Sequence, residues 1–133
     1  MVNTTDLIIS SSQLKLIFLS SLFIIKLKKL IDSGKLGKLY SCRLFYGNGT
    51  SALVKASPWR DSGKGVILDL GSHLLDMCNF LFKIENLKFK LLSSNSFETN
   101  SPDHAVIYTN QENFRIELEM TMCMWRNHFT CDI

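Results

Sequence analysis

Residues 65–82 read Gly-Val-Ile-Leu-Asp-Leu-Gly-Ser-His-Leu-Leu-Asp-Met-Cys-Asn-Phe-Leu-Phe and contain no Lys, Arg or Glu. Apart from Cys78, the ionisable side chains there are Asp69, His73 and Asp76, spaced by four and three. On a helix those spacings stack the three along one face. A surface helix carries a broad charged face, and this segment has none. It predicts a helix buried on most sides, with a narrow Asp/His stripe turned toward a cavity, a water cluster or a substrate.

The chain has 133 residues, enough for one domain with its own core. Hydrophobic residues make up 46% and charged residues 20%, which excludes a disordered chain. A net charge of +3, from lysines scattered without interleaved aromatics, does not read as a nucleic-acid surface. The four cysteines, Cys42, Cys78, Cys123 and Cys131, form no C-x-x-C pair. They read as reduced, mostly buried thiols of a cytoplasmic protein. Combined with His104 or His128 they lack ligand spacing, so no metal site is expected.

Residues 7–31 are rich in Leu, Ile and Ser, but their longest charge-free run, Leu16–Ile25, has ten residues. A membrane span needs about 20. Asp6 precedes the run and no small-residue cleavage site follows, so it does not read as a signal peptide. The expectation is a helix entering the domain and ending at Ile31-Asp32-Ser33-Gly34, with Gly34 as a left-handed cap. Membrane attachment through residues 7–31 is the alternative this run raises.

Lys38–Tyr46 predicts a strand, and Gly47 to Lys64 a loop punctuated by Pro58 and Gly63. Asn86–Ser93, Ala105–Tyr108 and Phe114–Met124 predict three further strands, with 109–113 as a hairpin connection. Consecutive strands with short connections predict the α+β class, an antiparallel sheet with helices packed on one face. The expected sheet ends as an open meander with an exposed edge.

A carboxylate one helical turn from a histidine suits proton transfer, because it raises the basicity of the imidazole and fixes its tautomer. Gly71 between them predicts a close approach by a backbone, ring or ligand. Gly63 and Gly65 would let the helix N-terminus, whose amides favour negative charge, come near a ligand. The plain alternative is a structural Asp–His contact. Arg60 reads equally as an exposed arginine or a partner of Asp61, Lys64 as a solvated lysine, and Trp59 as a packed lid.

Gly63-x-Gly65-x-x-x-Asp69-x-Gly71-x-His73-x-x-Asp76, preceded by Trp59-Arg60, resembles the motif that opens the second domain of the Gfo/Idh/MocA oxidoreductases. That family includes glucose–fructose oxidoreductase and inositol dehydrogenase. Residues 31–39 and Phe114–Ile133 are similar to its helix-to-strand entry and later strands. The resemblance covers residues 27–133 and leaves 1–26 as an atypical apolar segment. It implies the substrate and oligomerisation domain of an NAD- or NADP-dependent enzyme acting on a sugar or polyol hydroxyl. His73 matches the position of the proton donor or acceptor, and Asp69 the carboxylate that binds the substrate hydroxyl. Arg60, Lys64 and Asp76 are candidates for contacting substrate.

Neither the Gly-x-Gly-x-x-Gly fingerprint nor the family's Glu-Lys-Pro motif occurs. Lys64 also interrupts a glycine run common in relatives. The expectation is therefore an isolated piece of such an enzyme that binds no cofactor and is inactive alone. The alternative is a non-catalytic module that forms homo-oligomers through its sheet.

Overall fold

The computed structural model describes residues 22–83 and 87–133. Among them are helices α1 (Leu22–Asp32), α2 (Ser51–Lys55) and α3 (Val66–Phe82), and strands β1 (Ser41–Gly47), β2 (Lys90–Asn95), β3 (His104–Gln111), β4 (Phe114–Thr121) and β5 (His128–Asp132). The strands form one sheet in the order β2-β3-β4-β1-β5. The fold is α+β as the sequence predicts, and the sheet is antiparallel except between β1 and β4, which run parallel.

Alternation of side chains divides the sheet into two faces. Cys42 and Leu44 of β1, Ala105 and Ile107 of β3, and Ile116, Leu118 and Met120 of β4 are buried on the same face. Helix α3 covers that face, resting on β4, β1 and β3, and α1 packs on α3. The buried side of α3 is Val66, Leu70, Leu74, Met77, Cys78 and Leu81, a core stripe at helical spacing. Phe82 at its end stacks edge-on against Phe114 at the start of β4, with ring centroids 5.0 Å apart. Helix α3 therefore runs opposite to β1 and β4, and its first turns lie over their carboxyl ends.

Several expectations need correction. The loop predicted from Gly47 to Lys64 contains α2, a five-residue helix whose Val54 is buried. The strand expected at Asn86–Ser93 is β2 at Lys90–Asn95, and Asn86 lies outside the described residues. Phe114–Met124 ends as a strand at Thr121, because the chain then crosses the end of β1 to reach β5 on its far side. The alternation pattern gives no strand there; only the family resemblance over Phe114–Ile133 covers β5. The crossing is clamped: Met124 N–H donates to the Asn48 carbonyl at 2.9 Å, and Ser51 N–H to the Met122 carbonyl at 3.2 Å. A Cβ on Gly49 would stand 2.5 Å from the Met124 carbonyl oxygen, so the crossing backbone needs a glycine there.

Helix α1 ends as expected, with Gly34 at φ +70°. Most of the predicted 7–31 helix lies outside the described residues. No described helix is long and apolar enough to cross a membrane.

Candidate active site

Asp69, His73 and Asp76 each precede a buried residue of the core stripe, Leu70, Leu74 and Met77. The polar stripe therefore runs along the border of the core, and all three side chains are half-buried. Gly71 lets α3 settle onto the sheet, since a Cβ there would lie 3.0 Å from the Met120 sulfur. The close approach expected at Gly71 is thus made by a side chain of β4.

His73 meets β1 through Tyr46, whose ring lies perpendicular to the imidazole with centroids 6.3 Å apart. Tyr46 is the penultimate residue of β1, opposite Met120 of β4 and Phe129 of β5. The imidazole thus sits over the carboxyl ends of β1 and β4, the two parallel strands. Sequence reasoning missed Tyr46; its only signal was an aromatic at the end of an alternating run.

Arg60 pairs with Asp69, Nη2 to Oδ2 at 3.4 Å. This resolves the two readings of Arg60: its partner is Asp69. Lys64 is exposed on the approach to α3, and Trp59 is 79% exposed, which corrects its reading as a packed lid.

Asp61 serves a different purpose. Its buried carboxylate accepts from the Ser101 amide at 2.7 Å and hydroxyl at 2.9 Å, and from the Asn100 amide at 3.1 Å and side chain at 2.9 Å. Those donors, the Ser101 amide foremost, hold the carboxyl below its ordinary value. Asp103, fully buried, accepts from the amides of Phe97, Glu98 and Thr99 at 2.9, 2.6 and 3.0 Å. Burial works to raise the Asp103 carboxyl, and the three amides overcome it, leaving it below its ordinary value.

The two aspartates wind residues 96–103 into a brace for the start of α3. The Pro102 carbonyl accepts the Val66 amide at 2.8 Å. The next three amides go to the carbonyls of Lys64 and Gly65. The helix N-terminus is therefore closed by protein, against the expectation that its amides would face a ligand. Those amides are therefore not free to cradle a pyrophosphate at this helix end. The described residues also hold no group of three metal-binding side chains.

Residues 24–133 match the sequence profile described as the GFO/IDH/MocA C-terminal domain. The chain belongs to this family. Its fold is shared with an inositol dehydrogenase homolog from Azotobacter vinelandii solved with NADH and myo-inositol, at TM-score 0.66 and 20% identity over 80% of this chain and 30% of that one. Levoglucosan dehydrogenase with NADH and levoglucosan gives TM-score 0.65 and 18% identity over 79% of this chain and 32% of that one. The WlbA dehydrogenase of Bordetella pertussis, with NADH and UDP-GlcNAcA, gives 0.67 and 16% over 84% and 37%. The GFO/IDH/MocA-type chain described here thus spans about a third of the length of these structures. A search of curated protein sequences gave no match.

Proposed function

We propose that this chain is the substrate-binding part of an NAD- or NADP-dependent dehydrogenase for a sugar or polyol hydroxyl. The observation that carries the reading is the Asp69–His73 edge of α3, placed over the carboxyl ends of the parallel strands and walled by Tyr46. In this reading His73 takes the proton from the substrate hydroxyl as its carbon becomes a carbonyl, or returns it in reduction. Asp69 accepts a hydrogen bond from a neighbouring hydroxyl, with Arg60 neutralising its charge. Arg60, Lys64 and Asp76 contact the remaining hydroxyls. The hydride half of the reaction belongs to a nicotinamide held outside the described residues, so residues 27–133 alone turn over no NAD(P)H.

Titration of the nitrogen-15-labelled chain with myo-inositol tests this. Amide shifts at millimolar sugar are expected between residues 60 and 76 and are lost in His73→Ala. No shift there, or the same shifts in His73→Ala, refutes the assignment, as does NADH turnover by the unaided chain.

A second reading, a non-catalytic module that pairs with its own copy, is favoured by the open sheet face. Arg43 lies 3.6 Å from Glu117 and 2.7 Å from Glu119, Glu119 reaches His104 at 3.3 Å, and Arg115 reaches Glu117 at 3.1 Å. Charges of both signs on one sheet face can be self-complementary under a two-fold axis. Sedimentation should then show a dimer that Glu119→Arg dissociates; a monomer at every concentration sinks this reading.

A further inference from the structure

We propose that Asp61 is a positioning residue, which holds Arg60 against Asp69 and so sets the direction in which Asp69 faces a substrate. It rests on the dehydrogenase reading only for what Asp69 binds. The Arg60 and Asp69 side chains are 33% and 42% exposed, with Nη2 and Oδ2 3.4 Å apart. An ion pair that open to water is too weak to fix its own geometry. The backbone on either side of the pair must bring the two side chains together.

Arg60 belongs to a turn that is bonded to itself. The amides of Arg60 and Asp61 both donate to the Ser57 carbonyl, at 2.9 and 3.0 Å, and the Ser62 hydroxyl donates to the Trp59 carbonyl at 2.9 Å. The Asp61 carboxylate fastens this turn to a distant loop: Oδ2 accepts from the Asn100 amide and side chain, and Oδ1 from the Ser101 amide and hydroxyl. The next residue of that loop, Pro102, accepts the Val66 amide at 2.8 Å. Residues 100–102 therefore pin the chain at 61 and again at 66. Arg60 stands just before the first pin, and Asp69 stands within one helical turn of the second.

The same bonds remove a rival. Asp61 is the carboxylate next to Arg60 in the chain, and left free it would compete for the guanidinium. With two donors on each oxygen, its capacity to accept is filled. Arg60 is left to Asp69, where it takes Oδ2. In the dehydrogenase reading, Oδ1 is then the oxygen that accepts from a substrate hydroxyl.

Nitrogen-15 NMR of the full chain tests the positioning without any ligand. The chain has four arginines, so the Arg60 guanidinium signal is assigned by its loss in Arg60→Lys. Asp69→Asn gives the position of that signal when the pair is broken. Asp61→Asn turns an amide group toward two of the donors, and is expected to move the signal most of the way to that position while the amides of β3 and β4 stay in place. Ser101→Ala removes one of the four bonds without changing the charge beside Arg60, and is expected to move the signal part of the way. It also decides the matter if Asp61→Asn fails to fold. An Arg60 signal that stays in place in Ser101→Ala, or in folded Asp61→Asn, overturns the proposal. Binding of myo-inositol supplies the second readout. Its dissociation constant is expected to rise about tenfold in Asp61→Asn, and to be unchanged by the same substitution made in Arg60→Ala. Equal losses with and without Arg60 give Asp61 a structural role alone and overturn the proposal. If the wild-type chain shows no inositol shifts, the dehydrogenase reading fails, and the arginine signal by itself decides the role of Asp61.

Discussion

Gly65→Ala is expected to destabilise the fold by about 2–5 kcal/mol, a large part of the roughly 5–15 kcal/mol that holds such a domain together. Two costs add. Gly65 sits at φ +48°, where an L side chain costs about 1–2 kcal/mol. A Cβ there would also collide with the Pro102 carbonyl and crowd the Ser101 hydroxyl. Overpacking against backbone that cannot swing away costs about 1–3 kcal/mol more. Gly63 is the control: its φ is +63°, but no atom lies within 4 Å of the added carbon. Gly63→Ala should lose only about 1–2 kcal/mol. Urea denaturation of both variants reads the difference, and equal losses would contradict the assigned collision. The Pro102 contact also fixes the first amide of α3, so Gly65→Ala should disturb the Arg60–Asp69 pair before the rest of the sheet.

The second large effect is at Asp103. Asp103→Ala leaves the amides of Phe97, Glu98 and Thr99 without their acceptor, and an orphaned buried donor costs about 1–3 kcal/mol. Because the loop can admit some water, a total of about 3–4 kcal/mol is expected. Acid acts on the same contact. The folded Asp103 carboxyl lies below its ordinary value, as do Asp61 and Glu119. A depressed folded pKa contributes stability that is fully present above the unfolded value and is lost as pH falls through the folded one. The denaturation midpoint should therefore hold from about pH 6 to about pH 4 and fall below that, near the unfolded carboxylate range. Asp103→Ala should flatten part of that fall. A variant that keeps the full wild-type acid dependence would show that Asp103 is not one of its sources.

Helix α3 was legible because eighteen residues with three polar ionisable side chains leave few other ways to fold. The β3–β4 hairpin was legible because its pairing is local. The parallel pairing of β1 with β4 was not, since it depends on the chain crossing at Asn48 and Gly49, a contact between distant segments. Strand β5 and helix α2 are five residues each, too short for their periodicity to stand out. At the site, the spacing of Asp69 and His73 was readable and their surroundings were not. Tyr46 reaches His73 only after β1 is inserted in the sheet. Asp61 finds its donors 39 and 40 positions away, which no local pattern announces.

β1 is the first strand among the described residues, yet it is held between β4 and β5. Arg43 and Glu119, which meet across its border with β4, are 76 positions apart. Closing so long a separation is the slow part of assembling a sheet, whereas the β3–β4 hairpin turns over two residues and can form by itself. The aromatic wall beside the imidazole is therefore contributed by a wedge that waits for nearly the whole polypeptide. An incompletely folded chain can carry a formed helix with both Asp69 and His73 and still lack the Tyr46 ring beside the imidazole.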